Sequence, residues 1–341
     1  MANRRTRTAR LAATLLAGAI LLLPVQGMAS TPAVEGPHFD CAELADRAQP
    51  DSARDWYERS LWANHCYVYQ ARAVRIGVDG VRTLALSHEI RDGIEREVAR
   101  FLDGPAVVFE RQGRVARLAG MAAGRPAPAS PAMIVDHLAG LYRLQITGED
   151  RIAGRRTVRL DIEPLDELRY GHRLWLDALT ALPLKQMLLD ERGRVIETFQ
   201  ITELRDPRLH RGEIGLSPAR RLPAPPWQPG WMPEGFVAQP VETHAGRRPE
   251  VGHRVYGDGL ATLSLFVEPL ENRDLLIPGV HRLGVSNAAV LHRQLGGRPR
   301  QVVAMGELPP EVLRRVVEAV EWHAGDGEDP GREARRPEVT P

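Results

Sequence analysis

YGHRLWLDALTALPLKQMLLDERGRVIETFQI, residues 170–201, is the stretch of sequence that decides the fold. Leu174 and Leu176 alternate with Arg173 and Asp177, as in a strand that buries one face. Pro183 has no backbone N–H for a central ladder and therefore marks the start of the next strand. Residues 190–193, DERG, are typical of a hairpin turn. The stretch predicts a three-strand antiparallel meander that must bury one apolar face.

The chain before the meander has the pattern of a larger antiparallel sheet with helices on it. Turn signals recur at short intervals over residues 66–118, and this spacing favours antiparallel strands over βαβ units. Ser52 can cap a helix over residues 53–64, and Ser130 followed by Pro131 is typical of a second helix start. The apolar stripe predicted for the second helix contains Ile134, Leu138 and Leu141.

The N-terminus is typical of a secretory signal peptide. Four arginines precede an apolar run over residues 11–25, and Gly27-Met28-Ala29 fits a cleavage site, which predicts residues 1–29 as the signal peptide. A retained membrane anchor is the alternative, but the apolar run is short for a span. Cleavage would change the net charge from +1 to −3, so no nucleic-acid-binding surface is expected.

Two cysteines, Cys41 and Cys66, follow the predicted cleavage site. In an oxidising compartment a lone pair of cysteines favours a disulfide, with buried free thiols as the alternative. The sequence has no C-x-x-C motif, which leaves a thioredoxin-like redox role without support. We therefore predict that a Cys41–Cys66 disulfide ties the N-terminal segment to the first long strand.

At 341 residues the chain can form two domains, each with its own core. The patterns predict a large β-rich domain over residues 30–206 and a small α+β domain over residues 230–323. Residues 207–229 are rich in proline and are predicted to be a semi-rigid linker. Residues 324–341 are charged and are predicted to be a disordered tail.

No catalytic or metal-binding motif is present in the sequence. It contains no H-E-x-x-H motif, no Cys/His cluster and no glycine-rich phosphate loop. Residues 284–288 match a nucleophile elbow only in part, because the second glycine is missing. Glu163, Asp166 and Glu167 are interpreted as a solvated turn. We predict no enzyme, no catalytic residue, no metal and no cofactor.

The meander resembles the sheet signature of the RseB/MucB family, the periplasmic negative regulators of the sigma-E envelope-stress response. A second group of motifs agrees with this resemblance and lies in the same order along the chain. These motifs are Trp231-Met232-Pro233-Glu234-Gly235-Phe236, Val255-Tyr256-Gly257-Asp258-Gly259-Leu260, Leu263-Ser264-Leu265-Phe266-Val267 and Gly306-Glu307-Leu308-Pro309-Pro310. The resemblance spans both halves of the chain.

The resemblance implies an α+β fold: a large antiparallel incomplete β-barrel with covering helices, similar to the lipoprotein-carrier fold, and a small α+β C-terminal domain. It also implies a concave apolar face that binds lipid. On the residue pattern a solid core is the alternative. The residues that we assign to a candidate apolar ligand face are Leu84, Leu86, Ile134, Leu138, Leu141, Leu174 and Leu176.

By the same resemblance, the protein is expected to bind the periplasmic domain of a transmembrane anti-sigma factor and to shield it from regulated proteolysis. Lipopolysaccharide or lipoprotein acyl chains would be the ligands that release it. A lipid or lipoprotein carrier is the alternative function, and the small domain, which such carriers lack, favours the regulator. A secreted hydrolase would need a nucleophile that the sequence does not identify. The partner-binding residues and a homo-oligomer are left open.

Overall fold

Antiparallel strands make up most of the regular structure. The computed structural model describes residues 38–112, 119–122, 125–128, 130–215, 225–239, 252–270 and 276–323. We call residues 38–215 the large lobe and residues 225–323 the small lobe. The predicted signal peptide, residues 1–29, and the predicted tail, residues 324–341, lie outside the described residues.

The elements of the large lobe are, in chain order, β1 (His38–Asp40), α1 (Ala42–Asp46), α2 (Ala53–Cys66), β2 (Tyr67–Gly77), β3 (Gly80–Arg91), β4 (Ile94–Phe101), β5 (Val108–Gln112), β6 (Ala119–Ala122), β7 (Arg125–Pro128), α3 (Pro131–Ala139), β8 (Tyr142–Ile152), β9 (Arg155–Pro164), β10 (Gly171–Asp177), β11 (Pro183–Leu189), β12 (Val195–Leu209) and β13 (Glu213–Gly215). Those of the small lobe are β14 (Trp227–Pro229), β15 (Val237–Gln239), β16 (Gly252–Gly257), β17 (Thr262–Pro269), β18 (Gly279–Leu283), β19 (Ser286–Leu295), β20 (Arg298–Gly306), α4 (Pro310–Glu318) and β21 (Val320–Trp322).

The predicted meander is present as β10, β11 and β12. The second of these strands begins at Pro183, and the Asp190 N–H donates to the Arg194 carbonyl oxygen at 2.9 Å across the next turn. Within the described residues the large sheet has the order β5-β4-β3-β2-β12-β11-β10-β9-β8, and its two end strands do not pair with each other. The sheet is therefore an open, incomplete barrel, and the predicted fold class is confirmed.

Two capped helices cover part of this sheet, as predicted. The Ser52 Oγ accepts from the Asp55 N–H at 3.1 Å, and the Asp55 carboxylate accepts from the Ser52 N–H at 3.3 Å, which forms a capping box at α2. The Ser130 Oγ accepts from the Met133 N–H at 3.3 Å at α3. Because α2 and α3 pack against each other and against the same sheet face, they close the main core over β2 and β8–β12.

The small lobe has its own core between a six-stranded sheet and α4. In the described residues the sheet order is β15-β16-β17-β20-β19-β18. The helix begins at Pro310, and its inward residues pack on β17, β19 and β20. Leu313, Val316, Val317 and Val320 are all buried, with Val320 in β21 beyond the end of the helix.

Strands lie at both ends of the predicted linker, residues 207–229. The strand β12 continues to Leu209, β13 pairs with β1, and β14 pairs with β21. Trp227 explains the second boundary, because its ring is buried in the small-lobe core and brings the chain into pairing there. Residues 216–224 lie outside the described residues. Independent folding of the two halves stays a prediction.

Candidate functional site

Cys41 and Cys66 form a disulfide with a Cα–Cα distance of 5.4 Å. It joins the residue before α1 to the last residue of α2. Around it lies a small, separate apolar cluster that contains Leu44, Trp62 and Ile214. The disulfide therefore fastens the N-terminal segment to the end of the helix that covers the sheet.

The predicted apolar ligand face lies mostly inside the main core. Leu138 and Leu176 are fully buried, Leu141 and Leu174 are buried, and Leu86 and Ile134 pack against the same cluster. Leu84 is buried on β3 outside that cluster. The structure thus brings six of the seven residues together, but as a packed core, which was the alternative interpretation. A ligand would have to open the α2–α3 cover to touch the fully buried ones.

The same sheet face continues past the main core onto β3, β4 and β5 and becomes exposed at Phe109. Its residues there lie opposite one another on β3, β4 and β5, and we call them the apolar strip: Leu84, Leu86, Ala99, Phe101 and Phe109. Phe109 is 61% exposed, and its ring meets that of Phe101 edge-on with centroids 6.1 Å apart. An exposed aromatic ring that meets a half-buried one on a face continuous with the core is unusual for a solvated strand and marks a candidate binding surface.

A buried polar cluster borders the apolar strip on the side of the disulfide. The His88 Nε2 and the His65 Nδ1 both lie 3.2 Å from the Glu95 Oε1, and the His88 Nδ1 lies 2.5 Å from the Tyr67 carbonyl oxygen. Because a carbonyl oxygen only accepts, the His88 Nδ1 carries a hydrogen. Either the His88 Nε2 or the Glu95 carboxyl must then supply the second hydrogen of the pair. No cluster in the described part of the chain could hold a metal ion.

The two lobes meet at a fully buried ion pair between Arg169, which precedes β10, and Asp258, which follows β16. Both side chains are 0% exposed, and the Arg169 Nη1 donates to the Asp258 Oδ2 at 2.8 Å. The Tyr142 hydroxyl donates to the same oxygen at 2.9 Å. The guanidinium also donates from its Nε and Nη2 to the Asp166 carboxylate, and from its Nη2 to the Glu234 carbonyl oxygen at 2.8 Å. We call these five residues the junction.

The junction is satisfied on both sides of the interface. The Asp258 Oδ1 accepts from the Leu260 and Ala261 N–H groups at 3.0 and 2.8 Å, so its own hairpin turn fixes the carboxylate. Asp166, three residues before Arg169, fixes the guanidinium from the large lobe. Our interpretation of Asp166 as part of a solvated turn is wrong, because it holds a buried cation. A turn acid near an arginine is too common a pattern for the sequence to reveal this pairing.

Close contacts surround the junction. The His137 Nε2 lies 2.9 Å from the Gly235 carbonyl oxygen, and the Asn287 Nδ2 donates to the Tyr170 Oη at 3.2 Å. Gly235 has φ +81°, and a Cβ there would lie 2.3 Å from the Leu141 Cδ1. Since the backbone of one lobe touches a side chain of the other, glycine is required at this position.

Desolvation at the junction changes the titration of its neighbours. Burial, followed by the negative charge of Asp258, holds the pKa of Tyr142 far above its ordinary value. Burial lowers the pKa of His172 to about 4, although the Asp258 charge acts in the opposite direction. Both groups are therefore neutral at pH 7. A cavity of about 320 Å³ lies beside the junction and is lined in part by Asp166, Arg169 and His172.

Two family models match the chain. The MucB/RseB N-terminal domain matches residues 52–214, and the MucB/RseB C-terminal domain matches residues 221–321. The "Sigma factor AlgU regulatory protein MucB" of Pseudomonas aeruginosa is 32% identical over 292 residues, which cover 79% of this chain and 90% of that protein. The "Sigma-E factor regulatory protein RseB" of Escherichia coli is 25% identical over 294 residues, 75% of this chain and 86% of RseB.

Solved structures agree with these matches. The complex of Pseudomonas aeruginosa MucA and MucB superimposes with a TM-score of 0.61 at 29% identity, covering 80% of this chain and 99% of the matched chain. A crystal structure of MucB superimposes with a TM-score of 0.56 at 31% identity, covering 80% of this chain and 98% of the matched chain. The similarity therefore extends over both lobes. None of the helices among the described residues is long and apolar enough to cross a membrane.

Proposed function

The chain belongs to the MucB/RseB family, and from this premise we propose that it is a periplasmic regulator that binds the periplasmic domain of a transmembrane anti-sigma factor. The observation that carries the proposal is the match over both lobes to MucB, which has been solved in complex with MucA. A lipid carrier built on the large lobe alone would not need the small lobe. The match to the C-terminal domain model therefore favours the regulator over the carrier.

Binding of this kind would shield the anti-sigma factor from proteolysis. A protease that acts on an extended segment needs that segment free in solution, so a complex that covers it slows cleavage in proportion to the bound fraction. The export signal predicted at residues 1–29 would deliver the protein to the compartment where this segment lies.

We extend the proposal to an acyl-chain ligand on the apolar strip. Phe109 at 61% exposure and the Phe101 ring beside it offer an aromatic surface, and Leu86 connects that surface to the main core. A ligand there would release the partner only as far as it binds the free protein more tightly than the complex. This requirement makes lipid sensing testable separately from partner binding.

Calorimetric titration tests the partner-binding half. The mature chain, residues 30–341, is titrated with the periplasmic segment of the anti-sigma factor from the same organism, and a shuffled segment of equal composition serves as the control. We expect saturable binding in the micromolar range or tighter for the natural segment alone, and slower cleavage of that segment by an added protease. Equal heats for the natural and shuffled segments, with no protection from cleavage, would contradict the proposed function.

A further inference from the structure

We propose that the Arg169–Asp258 junction holds the two lobes in one relative orientation and that binding of the anti-sigma segment depends on that orientation. The second clause rests on the proposed function, whereas the first does not. The two lobes belong to one compact unit, and the junction is where a charge of each lobe is buried against the other.

Each half of the junction is also held by contacts within its own lobe. The Asp166 carboxylate accepts from the Arg169 Nε at 3.0 Å and from its Nη2 at 2.9 Å, both within the large lobe. The Asp258 carboxylate is held by two N–H groups of its own turn in the small lobe. Because both charges have fixed directions, the 2.8 Å contact between them forms in one geometry of the lobes.

Removing Arg169 leaves the Asp258 carboxylate buried without a counter-charge, whereas removing the Asp258 charge leaves Arg169 paired with Asp166 and breaks the charge contact between the lobes. Arg169 and Asp258 are both 0% exposed, so in Arg169→Met the buried Asp258 carboxylate becomes better solvated when the lobes separate. The guanidinium also lies over the rings of Tyr142 and Phe236 at 5.5 and 5.7 Å, so one aromatic ring from each lobe attracts the same cation. A charge-removing substitution should therefore open the interface while both cores stay intact.

Apolar contacts around the ion pair reinforce one orientation. Leu260 of the small lobe packs against the main core of the large lobe, and Leu168 of the large lobe packs against the small-lobe core. Gly235 approaches the large lobe closely, since a Cβ at this position would clash with Leu141. The junction thus combines reciprocal apolar contacts with a directional charge pair, which is how buried polar groups specify geometry rather than add stability.

The experiment uses the mature chain with Asp258→Asn, which keeps the acceptor oxygen for the hairpin turn, and separately Arg169→Met, which leaves that turn untouched. Asp177→Asn is the matched control, because Asp177 is also buried and paired with an arginine, Arg155 at 2.8 Å, within the large lobe alone. Small-angle X-ray scattering reports the lobe orientation, circular dichroism reports folding, and titration with the anti-sigma segment reports binding.

We expect both junction variants to keep their circular dichroism spectrum, to show a larger radius of gyration and to bind the segment at least tenfold more weakly. The Asp177→Asn control should keep the wild-type scattering, and its binding should stay within twofold of the wild type.

Unchanged scattering for folded junction variants would overturn the proposal. Loss of the whole circular dichroism signal in both variants would also overturn it, because the junction would then be needed for the folding of a lobe. Changed scattering with unchanged binding would overturn its second clause. Absence of binding by the wild type would count against the proposed function alone, since scattering still tests the orientation.

Discussion

The covered and open parts of the large sheet carry the same pattern of residues but have opposite surroundings. Leu176 on β10 is fully buried beneath α2 and α3, whereas Phe109 on β5 is 61% exposed, although both point to the face that forms the core. The difference lies in the cover, because the core cluster beneath the two helices extends to Leu86 on β3 and contains no residue of β4 or β5. Alternation in a strand thus decides which face is apolar, and the helices decide whether that face is a core or a binding surface.

An acidic substitution in each of the two parts should give the largest difference in the free energy of unfolding. Leu176→Glu places a carboxylate without a partner in a packed core, so we expect a loss of about 4 kcal/mol in the free energy of unfolding. Phe109→Asp replaces an exposed ring, and we expect a change within about 0.5 kcal/mol. Urea unfolding followed by circular dichroism measures both. A fully folded, stable Leu176→Glu protein would break the comparison, because the covered part would then contain a cavity open to water.

These outcomes separate what the sequence predicts from what it does not. The meander, the Ser52 and Ser130 caps and the inward face of α4 all depend on residues close in sequence, and each was predictable for that reason. The exposure of Phe109 was not, because it depends on where two helices end relative to strand β5. We assigned six leucines and one isoleucine to a ligand face. The spacing of apolar residues shows only that a face is apolar, and such a face can be either a packed core or a ligand-binding surface.

The junction could not be predicted for a different reason. Arg169 and Asp258 are 89 residues apart, and each stands in a turn where charged residues are ordinary. Their burial arises only when two separately formed cores come into contact. Gly235 carried a usable signal, since a glycine next to large apolar residues often marks a close approach of backbone, but it does not identify the contacting residue.

Loss of the disulfide should lower the free energy of unfolding by less than a buried charge does. It bears on the comparison because the disulfide lies at the end of α2, one of the two helices that cover the sheet. Replacing both Cys41 and Cys66 by serine opens a loop whose ends are 25 positions apart in the sequence. The loop-entropy model then gives a loss of about 3.5 kcal/mol. We expect this loss in urea unfolding, with partner binding unchanged at 25 °C. Two alkylatable thiols in freshly purified wild-type protein would contradict the assignment of the bond.

The smallest effect on stability, and the sharpest test of the open part, comes from neighbouring residues on β5. Phe109 lies opposite Ala99 on the apolar strip, whereas Val108 lies opposite Arg100 on the other face and is 52% exposed. Aspartate at either position should change the free energy of unfolding by no more than about 0.5 kcal/mol, because both side chains already face water.

The effects of Phe109→Asp and Val108→Asp on ligand binding should differ, since an acyl chain on the strip loses its contact with the ring only in Phe109→Asp. The loss of about 1.4 kcal/mol of apolar contact corresponds to a tenfold weaker affinity for a fluorescent fatty acid, cis-parinaric acid. Val108→Asp should stay within twofold of the wild type. If the two variants bind the probe equally, the strip is not the lipid site. If the wild type takes up no probe, and added lipid leaves the affinity for the anti-sigma segment unchanged, lipid sensing fails while the partner-binding proposal stands on its own evidence.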